Sequence, residues 1–150
     1  MTARGFEADV SAEPSAQLSL KASYTHTRTR QSGGTRQLAG VPRDTAQAVI
    51  DLHPADRAYG GGATVNWVGS VYDNVASGFA PRQRGHYVVL DLNTWLALGD
   101  YGRLSARLEN ALGEDYYTRI NRATRDAGGS YLIHYRGVPR TLHVAWSHSF

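Results

Sequence analysis

Apolar and polar residues alternate with a period of two along most of this chain, and that pattern restricts the fold more than any other feature. The run "LSLKASYTHTRTR" puts Leu18, Leu20, Ala22 and Tyr24 on one face and Ser19, Lys21 and Ser23 on the other. Strands alternate in this way, whereas the apolar residues of a helix recur every three or four positions. The pattern returns in Phe6, Ala8 and Val10 against Glu7 and Asp9, and in Ala46, Ala48, Ile50 and Leu52 against Gln47, Val49 and Asp51. Val65, Trp67, Gly69 and Val71 oppose Thr64, Asn66, Val68 and Ser70, and Val88, Leu90, Leu92, Thr94, Leu96 and Leu98 oppose Asp91, Asn93 and Trp95. Leu104, Ala106 and Leu108 oppose Ser105, Arg107 and Glu109, and Leu142, Val144, Trp146 and Phe150 oppose His143, Ala145, Ser147 and Ser149. No stretch of useful length carries a helical period. The chain therefore reads as all-β, an antiparallel up-and-down meander of about seven strands.

The connections alternate as well. Those near Glu13, Pro54 and Asp100 are short, while those over residues 31–44, 72–85 and 111–138 are long. Odd and even connections of a meander lie at opposite ends of its sheet, so one end carries tight turns and the other long loops, as in transmembrane β-barrels. The charges Glu7, Asp9, Lys21, Asp51, Asp91, Arg107 and Glu109 all fall opposite the apolar faces. Inside a small dry barrel each would cost several kcal/mol unless paired, whereas facing a wet lumen they cost little. A small soluble β-barrel binding an apolar ligand in its interior is the competing architecture. Composition does not separate the two. An apolar content of 41% and a mean hydropathy of -0.42 exclude spanning helices of about 20 apolar residues, but alternating membrane strands average to the same polarity.

The final stripe ends on Phe150, where a soluble terminus would fray, so an apolar phase is expected against that face. "MTARGFEADV" holds no apolar targeting segment, and the expectation is a segment of a longer chain.

Several stretches resemble a known family. "LENALGEDYY", Leu108 to Tyr117, is similar to the Asn-Leu-Phe-Asp-x-x-Tyr signature near the end of TonB-dependent outer-membrane receptors, with Ala111 and Leu112 in place of Leu-Phe. "GVPRT", Gly137 to Thr141, resembles the Gly-x-Pro-Arg segment that leads into their last strand, and "WSHSF" resembles their aromatic ending. "GVPRDTAQAVIDL" and "YGGGATVNWVGSVYDN" resemble consecutive strands of the siderophore-receptor branch, with Asp44 where His or Lys is commoner. The resemblance implies that residues 1–150 are the C-terminal segment of a 22-stranded barrel in the bacterial outer membrane, with the plug domain and earlier strands absent. It further implies a parent function in uptake of ferric siderophores or a similar scarce ligand, energised by TonB through the absent N-terminal region, with outer-membrane lipid and lipopolysaccharide as surroundings.

Chemistry beyond transport has little support in the residues. There is no cysteine, the six histidines lack metal-ligand spacing, and no Gly-x-Ser-x-Gly occurs. "YGGG" at Tyr59 to Gly62 is followed by neither a helix nor a lysine and reads as a strand start with close backbone approach. The expectation is no enzyme, no cofactor and no metal. Fifteen of the sixteen basic residues are arginines. Arg28, Arg30, Arg36 and Arg43 flank the first long loop, Arg82 and Arg84 the second, and Arg119, Arg122, Arg125 and Arg136 the third. Such a set suits anionic ferric chelates or lipopolysaccharide phosphates, or plain solvated loops. It follows loops rather than one groove, which argues against nucleic acid. Tyr72, Tyr116 and Tyr117 lie at loop bases, as an interfacial girdle or as stacking surfaces. Arg82, Arg84, Tyr116, Tyr117, Arg119 and Arg122 are the candidate ligand-binding residues.

Overall fold

The computed structural model describes residues 1–30, 37–55, 57–73, 82–125 and 128–148. Its strands are β1 (Thr2–Ser15), β2 (Leu18–Arg30), β3 (Asp44–Leu52), β4 (Tyr59–Val68), β5 (Val71–Asp73), β6 (Arg82–Arg84), β7 (Tyr87–Ala97), β8 (Arg103–Glu109), β9 (Tyr117–Thr124), β10 (Ser130–Arg136) and β11 (Thr141–Ser147). A 3-10 turn, Gly99–Tyr101, reverses the chain between β7 and β8. Seven strands form one antiparallel sheet in the order β1-β2-β3-β4-β7-β8-β11. This is the expected meander, in which each strand pairs with the strand of the sheet that follows it in sequence.

The remaining four strands pair as two hairpins, β5 with β6 and β9 with β10, inside the second and third long connections. Those segments read as loops in the sequence except for Val71, which the spacing places on the strand face of Val65 and Trp67; β4 ends at Val68 and Val71 pairs with Arg84 in the hairpin instead. β5 and β6 have three residues each, too few for a period. β9 carries Thr118, Arg119, Asn121 and Arg122 on both faces, so no apolar stripe marks it.

The register resolves the two faces row by row. One row runs Ala12–Leu20–Ile50–Ala63–Leu92–Leu108–Leu142 across all seven strands, and a parallel one runs Ala8–Tyr24–Ala46–Trp67–Val88. The other face carries Ser11–Lys21–Val49–Thr64–Asp91 and Ser19–Asp51–Gly62–Asn93–Arg107–His143. Trp67, Leu92 and Trp146 thus lie on one side, and Asp91, Arg107 and His143 on the other. On the polar side Arg107 lies 3.0 Å from Glu109, whose second oxygen is 3.1 Å from His143 Nε2. Phe150 lies outside the described residues.

No described residue covers the apolar face. Val10 is 68% exposed, Leu142 64% and Trp146 62%. The sheet is open as well, with β1 and β11 as its edges. Among the described residues there is no closed interior of the kind a small ligand-binding barrel needs, and only Val71 and Ile120 are buried apolar residues. Neither belongs to the seven-stranded sheet. Gly60, at the start of β4, shows why a residue without Cβ stands there. A Cβ would meet the Trp95 indole at 2.7 Å, and that ring carries the Arg103 guanidinium 4.0 Å from its centre.

Candidate functional site at the loop end

The three long connections leave the sheet at the same end. There the second and third meet through Asp73, the last residue of β5. Its Oδ2 accepts 2.7 Å hydrogen bonds from Arg84 Nε on β6 and from the backbone N–H of Ile120 on β9. The pair is buried, with 10% of the Arg84 side chain and 6% of the Asp73 side chain exposed. An unpaired carboxylate at that depth would be costly, so both donors are required. Val71 and Ile120, on the two strands that Asp73 ties together, are buried as well.

A second lock fastens the third connection to the chain that enters β11. Asn110 follows β8, adopts a φ of 48° and is only 1% exposed. Its N–H donates to Asp91 Oδ1 at 2.9 Å, and its Nδ2 donates to the carbonyls of Glu114 at 2.8 Å and Val138 at 2.9 Å. Its Oδ1 accepts from the Glu114 N–H at 2.9 Å. Its carbonyl accepts from the Gly113 N–H at 2.8 Å, so all four polar groups of the residue are used, which makes burial of an amide affordable.

Between the locks lies a cleft of about 360 Å³, lined by Gln83, Arg84, Gly85, Tyr87, Glu114, Asp115, Tyr116, Tyr117, Ile120, Leu132 and His134. Four of its eleven lining residues are aromatic. The Tyr87 and Tyr116 ring centres are 4.4 Å apart, and Tyr117 meets His134 edge-on at 4.8 Å. Tyr116 also covers Gly137, where an added Cβ would lie 2.0 Å from the ring, and its hydroxyl accepts the Val138 N–H at 3.3 Å. The arrangement offers ring faces, phenol hydroxyls and an imidazole to a molecule entering from the loop side.

The candidate residues separate within this geometry. Arg84, Tyr116 and Tyr117 line the cleft together, but Arg84 has its Nε committed to Asp73. Arg122 pairs with Leu132 and so shares the face of Ile120 and His134, where it hydrogen-bonds the Ser130 hydroxyl. Arg119 pairs with Tyr135 on the opposite face of the hairpin and donates from Nε to Asn121 at 2.8 Å. For Arg82 only the backbone, paired with Asp73, is described. Arg36 lies outside the described residues. With Glu114 and Asp115 in its lining, the cleft is aromatic and mixed in charge rather than a purely cationic trap. Asp73, Asn110, Tyr87 and His134 were not among the candidates from sequence. Asn110 did have a signal, as the asparagine of "LENALGEDYY", whereas a lone aspartate in "VYDN" has none.

With this geometry in hand, the family model for the TonB dependent receptor-like β-barrel matches residues 1–111. The chain belongs to the TonB-dependent receptor β-barrel family. Among solved structures, it is similar to the pyoverdine outer membrane receptor FpvA of Pseudomonas aeruginosa bound to pyoverdine, with a TM-score of 0.76 and 24% identity over 95% of this chain and 20% of that one. FpvA bound to a heterologous pyoverdine and iron gives a TM-score of 0.76 at 21% identity, over 95% of this chain and 19% of that one. The siderophore receptor PiuA of Acinetobacter baumannii gives 0.71 at 18% identity, over 95% of this chain and 21% of that one. At these identities the likeness is one of fold. The chain spans about a fifth of the length of these receptors. No curated protein sequence matches it.

Proposed function

We propose that these residues form the last seven strands of an outer-membrane receptor barrel whose plug domain and earlier strands belong to the same longer polypeptide. The complete receptor takes up a ferric siderophore or a comparably scarce ligand, with energy relayed by TonB through a region outside this segment. The observation that carries the reading is the row-by-row separation of a bare apolar face from a charged face, in a sheet with long connections at one end only. Lipid covers the first face, water fills the lumen against the second, and the long connections lie outside the cell. Membership of the receptor family supports it. The aromatic cleft then supplies part of the ligand surface, with Tyr116, Tyr117 and His134 stacking and hydrogen-bonding and Arg122 contributing charge. The reading is one of binding and transport rather than catalysis.

The test is uptake of 55Fe into cells whose only siderophore receptor is the complete protein, using ferripyoverdine first and then a panel of hydroxamate and catecholate chelates. Uptake of one class that stops when TonB is deleted is the expected result. No uptake of any chelate by a receptor that fractionates with the outer membrane would refute the transport assignment.

A further inference from the structure

Above the Ala8–Tyr24–Ala46–Trp67–Val88 row, the apolar face does not stop. It continues as Phe6 opposite His26, Arg4 opposite Arg28 and Thr2 opposite Arg30. Alternation therefore places Arg4, Arg28 and Arg30 on the side of Val10 and Tyr24, and not on the side of Glu7 and Asp9. All three are exposed. Arg4 and Arg28 are direct cross-strand partners, which puts their Cβ atoms about 5 Å apart and two like charges side by side, a destabilising arrangement. None of the three takes part in an ion pair among the described residues. The carboxylate at this height, Asp44, is occupied. It accepts hydrogen bonds of 2.7 Å from Tyr24 Oη and from His26 Nδ1, and it lies 4.0 Å from Arg43.

The rim is also built rather than frayed. Beyond the start of β3, Gln37 takes the place of a neighbouring strand. Its Oε1 accepts the Thr29 N–H at 2.9 Å and its Nε2 donates to the Thr27 carbonyl at 2.8 Å, while the Leu38 N–H donates to Thr29 Oγ1 at 2.9 Å. Thr29 is 5% exposed as a result. Height follows from strand geometry. Leu18 to Arg28 is about 34 Å along the strand and, at a tilt of about 40°, about 26 Å along the membrane normal, against an apolar band about 25 Å tall. Arg28 thus stands where hydrocarbon ends, and Arg30 about 5 Å beyond it. Directly below, the Phe6 ring packs 5.7 Å from both Tyr24 and His26.

We infer that this rim of β1 and β2 is a binding site for a phosphorylated lipid of the outer leaflet. Its acyl chains lie on Val10, Ala22 and Tyr24, and its phosphate bridges Arg4 and Arg28, with Arg30 above. Guanidinium groups bind phosphate bidentately, and an anion between Arg4 and Arg28 converts their repulsion into attraction. A zwitterionic head group brings its own cation and leaves that repulsion in place. This inference rests on the outer-membrane reading above.

The test uses the complete receptor in phosphatidylcholine nanodiscs containing a minor fraction of diphosphoryl lipid A, with retained lipid counted by native mass spectrometry. Heat-modifiable migration is checked first. If wild-type receptor lacks it, the barrel reading itself fails, separately from the lipid site. With the barrel formed, Arg4→Gln/Arg28→Gln/Arg30→Gln should lose retention at least tenfold, the scale expected for removing several interfacial arginines. Dephosphorylated lipid A should bind wild type no better than diphosphoryl lipid A binds the variant. Arg57→Gln, at the turn end, should change nothing. If the triple variant does not fold, Arg28→Gln alone and the dephosphorylated lipid decide. Equal retention by wild type and variant, or displacement of the lipid by millimolar inorganic phosphate, would overturn the proposal.

Discussion

Leu92→Arg and Thr64→Arg form a paired test of which face meets lipid. Leu92 stands at the centre of β7, five residues from each end, which is about 17 Å along the strand and about 13 Å along the membrane normal, the midplane of the apolar band. Its row neighbours are Ala63 and Leu108. Thr64, one residue further along β4, lies on the other face opposite Asp91 and Val49. An arginine at the midplane on the lipid side costs about 2–4 kcal/mol, which at 1.4 kcal/mol per decade is about a 30-fold or greater loss in the folded-to-unfolded ratio. At position 64 the same side chain reaches lumen water and can pair with Asp91, for a change within about 0.5 kcal/mol. The measurement is urea-induced unfolding of the complete receptor in phosphatidylcholine vesicles, followed by tryptophan fluorescence. A water-exposed sheet would reverse the order, because Leu92 is 38% exposed and Thr64 is less accessible. Equal costs, or a larger cost at Thr64, would refute the face assignment.

The loop-end locks give two further expectations. Asp73→Ala strands Arg84 and frees the Ile120 N–H, a local cost of about 3–5 kcal/mol, so hydrogen exchange at Ile120 should accelerate at least a hundredfold while the unfolding midpoint of the barrel strands stays within error. Asn110→Ala leaves the Glu114 and Val138 backbone groups without partners, at about 1–3 kcal/mol for each group left unsatisfied. Limited proteolysis should then cut between residues 111 and 140 in the variant and not in wild type.

The sheet was legible because a strand with two different environments writes them into alternate residues. Tyr24, Leu92 and Leu142 could be assigned to a face from spacing alone, and the register agrees. The loop-end site was legible only in part. Tyr116 and Tyr117 stand next to a motif and were found together in the cleft. The hairpin β9–β10 escaped notice because Arg119 and Arg122 put charge on both of its faces, and with it went the fact that these two arginines point apart. Arg84 looked like a free cation because nothing in the sequence ties it to Asp73, eleven residues earlier across a connection. Local pattern reports environment, whereas long-range pairing of single polar groups leaves no period to read.

The absence of any side-chain core in the large sheet bears on how such a sequence drifts. In a water-soluble domain, a residue that changes size must be matched by its neighbours, because solid packing tolerates neither voids nor overlap. Ile50, Val65, Leu92 and Leu142 are exposed, with no described residue covering their outer surface. In the membrane setting proposed above, a fluid of hydrocarbon tails fills whatever shape they present, so valine, leucine and phenylalanine are interchangeable there with little penalty. Half of each strand is thereby released from volume matching, while the backbone ladder keeps its path. A chain under that regime can keep a TM-score of 0.76 at 21% identity. Its slowest-changing positions should be Asp73, Asn110 and Gly137, where protein still meets protein.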